Sequence, residues 1–170
     1  DTSIGFGTLS TSAVRYATAD GNGSASAMTG TAQNPAQLDI ATNAANGVIV
    51  SARSTGNGDG TDGNGSAGLY NSSASKLIAA AASSAVSGGS EGYGVYAGDL
   101  TNTTGTLSIA EGFDNDTTTD AAITTSALTI ASASAAVDAV FDVELIAASD
   151  TTTAAGSYAD TLTLTATGKF

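Results

Sequence analysis

The sequence predicts an all-β protein that folds as a single antiparallel β-sandwich of jelly-roll or immunoglobulin-like topology. Three observations support this prediction. Apolar and polar residues alternate with a period of two in several short runs, Gly, Asn and Asp clusters separate these runs, and the 170 residues show no break in composition that would divide them into two domains. About eight to ten short strands fit the spacing of the turn signals.

The clearest alternation lies at the end of the chain, between residues 137 and 170. In its first run, the apolar side chains at every second position from Val137 to Ala147 point to one face, and Asp138, Asp142 and Glu144 point to the other. In its second run, apolar residues at every second or fourth position share a face: Tyr158, Leu162, Leu164, Ala166 and Phe170. We expect the two runs to pair as an antiparallel hairpin with its acidic face in solvent.

Other runs predict strands in chain order at 2–9, 13–18, 37–42, 48–53, 93–97, 106–110 and 127–131. The turn dipeptide Asn46-Gly47 predicts that the strands 37–42 and 48–53 form a second hairpin. The segment 75–87 fits a short helix by propensity and a strand by context, and the sequence leaves this choice open.

The first twelve residues predict a separate element ahead of a sandwich domain at 13–170. Ile4 and Phe6 alternate with small residues, Leu9 follows them, and Ser10-Thr11-Ser12 has the composition of a hinge. Such a terminal strand suits donor-strand complementation, in which it pairs with a neighbouring molecule and its apolar side chains fill pockets there. The same pattern is equally typical of a first strand that pairs within the sandwich of its own chain. In the first case, we expect Tyr158, Leu162 and Leu164 to line the acceptor groove.

Composition and charge disfavour several classes of function. The chain has no Cys and no His, only four basic residues and a net charge of −12, so nucleic-acid binding and attraction to an anionic membrane are disfavoured. Asp142, Glu144 and Glu111 are the carboxylates from which a hydrolase could be built, but their predicted exposure favours a protein that is not an enzyme. No run is long enough for a membrane span. The first residue, Asp1, leads us to expect the mature end of an exported, extracellular chain.

Acidic loops and sequons give two further sets of candidate sites. Asp59, Asp62 and Asn64 place oxygen ligands in a Gly-rich loop that could hold calcium, and Asp114, Asp116 and Asp120 form a second acidic cluster. Both groups also fit solvated turns, and no other cofactor is expected. Asn-X-Ser/Thr sequons, which are candidates for glycosylation, occur at Asn22, Asn64, Asn71, Asn102 and Asn115.

Three segments resemble secreted bacterial β-sandwich subunits, namely spore coat protein U-like proteins and chaperone–usher-type pilins. They are the closing run from Ala154 to Phe170, the opening Ile4-Gly-Phe6-Gly-Thr-Leu9, and the run from Leu38 to Val50. The chain departs from chaperone–usher pilins because it lacks their disulfide, and its composition is closer to that of self-assembling donor-strand filaments of biofilms. The resemblance implies an extracellular filament or coat subunit whose partners are identical subunits.

We therefore expect a pilin-like subunit that forms a homopolymer at the cell surface, for adhesion or biofilm formation. A monomeric carbohydrate- or ice-binding module, which would expose the threonines at 161–167, is the first alternative. A surface-layer or coat protein is the second.

Overall fold

The structure, a computed structural model, describes residues 3–26, 36–56, 65–115 and 119–170. Within these ranges it has ten strands and two single-turn 3₁₀ helices, the latter at Ser83–Ala85 and Glu111–Phe113. The strands are β1 (Arg15–Tyr16), β2 (Ala36–Thr42), β3 (Val48–Ser54), β4 (Gly68–Asn71), β5 (Lys76–Ala79), β6 (Gly92–Thr104), β7 (Ser108–Ile109), β8 (Leu128–Ala133), β9 (Val137–Ala148) and β10 (Leu162–Gly168). The predicted all-β class is confirmed.

The first sheet is built around the long strand β9. Antiparallel β6 pairs along one edge of β9, from the pair Gly92–Ala148 to the pair Thr104–Asp138. Because β6 occupies that whole edge, β1 and β2 must share the other edge end to end. β2 pairs with β9 at residues 137–143, and β1 pairs with it at residues 146–147.

The second sheet has the strand order β10-β3-β8-β7, and β4 and β5 form a separate hairpin. The two sheets pack face to face, since one apolar cluster contains inward side chains from both. The first sheet contributes Phe141 and Val143 of β9 and Tyr93 of β6 to this cluster. The second sheet contributes Val50 of β3 and Ile130 of β8, and all five residues are at most 1% exposed. Many of the other buried residues of this cluster are alanines, among them Ala52, Ala97 and Ala139.

Both predicted hairpins are wrong, for the same physical reason. β9 lies in the first sheet and β10 in the second, where β10 pairs with β3. Likewise, β2 pairs with β9, while β3 lies in the second sheet. Alternation identifies a half-buried strand but not its partner, and the turn at Asn46-Gly47 carries the chain from one sheet to the other.

The predicted solvent exposure of Asp142 and Glu144 is also wrong. They are 1% and 4% exposed, on the outer face of the first sheet. A second, smaller apolar cluster covers part of that face and includes Tyr96, Ile146 and Val86. The Tyr96 hydroxyl donates a hydrogen bond of 2.7 Å to Glu144 Oε2. The alternation correctly predicts that these two acids lie on the face opposite Phe141, but this polar side of the strand is buried at Asp142 and Glu144.

Several smaller elements also differ from the predictions. The segment 75–87, which the sequence left open, divides into β5 and the first 3₁₀ turn, and β4 has no counterpart among the predicted strands. Phe170, expected on the apolar face of the last strand, is 93% exposed. Residues 2–9 do not form a regular strand in their described part, where only two isolated bridges hold Gly5 and Phe6. In the described part of the chain, no helix is long and apolar enough to cross a membrane.

Candidate functional site: a groove at the open edge of the sandwich

The structure brings the predicted donor residues and the predicted acceptor residues to one groove. This groove has a volume of about 1180 Å³ and is lined by all six of them: Ile4, Phe6, Leu9, Tyr158, Leu162 and Leu164. Ala36 of β2 and the side chains of Val143 and Leu145 also line it. The last two belong to β9 close to the place where β1 gives way to β2, so the groove reaches the sandwich core.

Two strands with an unpaired edge belong to the walls of this groove. β10 pairs only with β3, and β2 pairs only with β9, so the second edge of each strand has no partner among the described residues. Leu162 and Leu164 of β10 are half-buried against the core. An unpaired edge presents backbone N–H and C=O groups that can accept a further strand.

The N-terminal segment, residues 3–9, covers part of the groove with few backbone bonds. Gly5 exchanges two hydrogen bonds with Thr18, of 3.0 and 2.8 Å, and Phe6 bridges Asn22. The Phe6 ring meets Tyr93 edge to face, with ring centroids 6.3 Å apart. Ile4, Phe6 and Leu9 are half-buried against the core, whereas Ser3 and Thr8 are exposed. Apolar contacts therefore hold this segment more than backbone pairing does.

Glycines allow the N-terminal segment to approach the turn at residues 18–24. Gly7 has a φ of +61°, and a Cβ there would lie 2.1 Å from the carbonyl oxygen of Asn22. Gly23 has a φ of +68°, and its Cβ would lie 2.0 Å from the carbonyl oxygen of Phe6. A side chain at either position would push the two backbones apart.

Asp20 orders the turn on which the segment rests. Its carboxylate accepts hydrogen bonds from the Thr18 hydroxyl at 2.6 Å, from the Asn22 backbone at 3.0 Å and from the Asn22 amide at 2.8 Å. These bonds, led by that from Thr18, lower the pKa of Asp20 to about 2. Arg15 adds a bond of 2.8 Å to the Asn22 carbonyl oxygen.

Polar groups also reach the groove. The Tyr158 hydroxyl donates to the carbonyl oxygen of Ala154 at 2.8 Å. Asp160 Oδ1 accepts from the backbone N–H groups of Gly56 at 3.0 Å and Thr161 at 2.7 Å. Asp160 Oδ2 and the Tyr93 hydroxyl are buried and lack a hydrogen-bond partner of good geometry in the part of the chain that the structure describes. The groove is thus apolar with a small polar region.

The predicted calcium residues Asp59, Asp62 and Asn64 lie outside the described residues, as does Asp116 of the second cluster. Asp114 is exposed, and Asp120 Oδ2 accepts from the Ser83 hydroxyl at 2.9 Å. In the part of the chain that the structure describes, no group of three or more acidic side chains could hold a metal ion.

The described sequons differ in accessibility. Asn22, Asn102 and Asn115 are exposed. Asn71 is 1% exposed, and its side chain bonds to the backbone of Ala155, Ser73 and Ala74, so a glycan on Asn71 does not fit this fold. The Asn102 side chain exchanges two hydrogen bonds with Leu107, so the residue shapes the turn between β6 and β7.

Sequence reasoning missed Tyr93 and Asp160 at the groove. Tyr93 reads as an ordinary core aromatic, and Asp160 as a turn residue, because alternation does not show which side chains face the same cavity. Comparison of the chain with models of protein families, with curated proteins and with solved structures finds no match.

Proposed function

We propose that the protein is a structural subunit of an extracellular, pilin-like filament and that it polymerises by inserting its N-terminal strand into the groove of a neighbouring subunit. One observation carries this proposal. The apolar residues of the N-terminal segment line the same groove as the apolar residues of β10, next to β2 and β10, whose second edges have no partner among the described residues. A segment that fits its own groove also fits the groove of an identical molecule, as in domain swapping.

The weak attachment of the segment favours exchange. Among the described residues of one chain, its backbone–backbone hydrogen bonds are the two between Gly5 and Thr18. An extended donor paired along the free edge of β10 or β2, each seven residues long, would form several more. Each such bond stabilises by a net of roughly 0.5–1.5 kcal/mol. Exchange therefore keeps the apolar contacts of Ile4 and Phe6 and adds backbone pairing, which offsets part of the entropy cost of association.

The alanine-rich core and the composition agree with a structural role. Ala, Gly, Ser and Thr dominate the chain, and the titratable residue types that most often serve as general base or nucleophile, His and Cys, are absent from it. The role at the cell surface, in adhesion or in a biofilm, is part of the proposal and follows from the resemblance to exported subunits.

A pair of variants tests the role of the segment. Ile4→Asp places a charge on the groove-facing side, and Ser3→Asp places the same charge on an exposed neighbour. We expect the unaltered protein and Ser3→Asp to form filaments in negative-stain micrographs, and Ile4→Asp to remain monomeric by light scattering. Equal assembly of both variants would refute donation of this strand. A persistent absence of filaments from the concentrated unaltered protein would refute the filament itself.

A second candidate function, polysaccharide binding, rests on the outer face of the second sheet. Strand register places Thr165, Ser51 and Thr129 in one row across β10, β3 and β8. Thr167 belongs to the neighbouring row. Such rows of hydroxyls can bond to a flat glycan, although no aromatic ring joins them in the described part of these strands. Pull-down on insoluble polysaccharides, with Thr165→Ala as the test variant, would detect this function. If Thr165→Ala binds the polysaccharide as well as the unaltered protein does, this face is not the binding site.

A further inference from the structure

Two buried oxygens without partners lie together in the groove. Tyr93 is 0% exposed, and Asp160 Oδ2 is a buried atom of a half-buried residue. Among the described residues, neither the Tyr93 hydroxyl nor Asp160 Oδ2 has a hydrogen-bond partner of good geometry. Burial raises the pKa of Tyr93 well above its ordinary value, and the charge of Asp160 and a weak hydrogen-bonding interaction with its carboxylate add to this effect. The two groups are therefore neighbours, close enough for a weak interaction, but their separation or alignment falls short of a full hydrogen bond. Buried polar atoms normally have a partner, so this pair has unused bonding capacity.

The N-terminal segment contains a matching group. Successive side chains of an extended strand alternate, so Ile4, Phe6 and Thr8 would share one face of an extended donor. In the described chain Thr8 is exposed instead, because the left-handed backbone at Gly7 breaks the alternation. Extending the segment would turn Thr8 toward the groove.

We propose that Tyr93 and Asp160 form the polar part of the donor-strand site, and that in the filament they bind the hydroxyl of Thr8 from the neighbouring subunit. This inference rests on the proposed function. Phe6 already packs on the Tyr93 ring. If an incoming Phe6 takes that place, the next side chains on its face, Ile4 and Thr8, each lie about 7 Å away. Of these only Thr8 can form a hydrogen bond.

A hydroxyl suits both groups of this polar pair. It can donate to the Asp160 carboxylate and accept from the Tyr93 phenol at the same time, which neither an ammonium nor a carboxylate can do. The contact would also fix the register of the donor, because a shift by one residue turns Thr8 away from the pair. The pair thus has opposite roles in the two states: it is unsatisfied in the monomer and satisfied in the filament.

The test compares Tyr93→Phe, Thr8→Val and the double variant in two assays. One is the melting temperature of monomers, kept below the concentration at which they assemble. The other is the rate at which filaments dissociate. We expect Tyr93→Phe to keep or raise the monomer's melting temperature, because it removes an unsatisfied group, and to speed filament dissociation about tenfold. Thr8→Val should have a similar effect on filaments, and the double variant should be no worse than either single one.

Two matched variants serve as controls. Tyr158→Phe removes a hydroxyl from the same groove that already has a partner, so it should lower the monomer's melting temperature. Thr103→Val changes an exposed threonine on β6 and should leave both measurements unchanged. Unchanged filament dissociation in Tyr93→Phe, or additive effects in the double variant, would overturn the inference while leaving the filament intact. Absence of filaments from the unaltered protein would overturn the inference and the proposed function together.

Discussion

Replacing Gly7 by Ala should drive the protein from monomer to filament. In the described chain Gly7 has a φ of +61°, and a Cβ there would lie 2.1 Å from the Asn22 carbonyl oxygen. A left-handed backbone costs a residue with a side chain about 1–2 kcal/mol. In an extended donor strand, by contrast, Ala is more favourable than Gly by about 0.5–1 kcal/mol. Both effects favour the extended, exchanged strand over the self-docked strand.

Together they shift the balance between the self-docked and the exchanged strand by about 1.5–3 kcal/mol, or roughly 10- to 100-fold. The assay is the monomer concentration that remains in equilibrium with filaments, measured after sedimentation. Gly21→Ala is the control. Gly21 also has a left-handed φ, of +76°, but its Cβ would meet nothing within 4 Å, and its turn belongs to the sandwich in both states. The reasoning is refuted if Gly7→Ala leaves that concentration unchanged or raises it, or if Gly21→Ala lowers it equally.

Three further predictions concern stability. Tyr96→Phe removes the 2.7 Å bond to buried Glu144 and should cost about 1.5–3 kcal/mol, seen as a lower melting temperature by circular dichroism; an unchanged value would contradict the assigned bond. Burial raises the pKa of Tyr16, Tyr93 and Tyr96 above 10.0, so the stability they give is present below that pH and is lost as the pH rises through their folded-state values. In a Tyr70→Phe, Tyr158→Phe background, which retains only these three tyrosines, phenolate absorbance should then appear together with unfolding, and gradual ionisation before unfolding would disagree. Asp20, with its pKa lowered to about 2, stabilises its turn above its ordinary pKa and loses this effect as the pH falls toward 2. The protection of the amides at residues 21–23, measured relative to their intrinsic exchange rates, should therefore fall there, and it should not change over this pH range in Asp20→Asn.

The fold class could be predicted from the sequence because alternation is a local property. The two-residue period predicts both β9 and β10. It also predicts the apolar face of each strand, on which Phe141 and Leu162 lie. Strand pairing could not be predicted, because two adjacent alternating runs look the same whether they pair or face each other across a sandwich. Asp142 and Glu144 show the same limit, since only the tertiary packing of Tyr96 and Val86 against the outer face explains their burial.

The candidate site was predictable in part. The sequence indicates a set of donor residues and a separate set of acceptor residues, and the structure places both at one groove. The donor set is Ile4, Phe6 and Leu9, and the acceptor set is Tyr158, Leu162 and Leu164. Whether the strand is donated or stays within its chain depends on a balance of a few kcal/mol, which no alternation pattern contains. The polar pair in the groove escaped prediction because Tyr93 and Asp160 are 67 positions apart in the chain.

Disulfide trapping between two kinds of subunit tests strand donation most directly, because the chain has no native Cys. Ile4→Cys subunits and Leu164→Cys subunits are mixed, assembled under oxidising conditions and analysed by mass spectrometry. Donation predicts a covalent dimer in which position 4 of one subunit is bonded to position 164 of the other, a product that no contact within one chain can give. Filaments that assemble from this mixture without that bond would contradict the account.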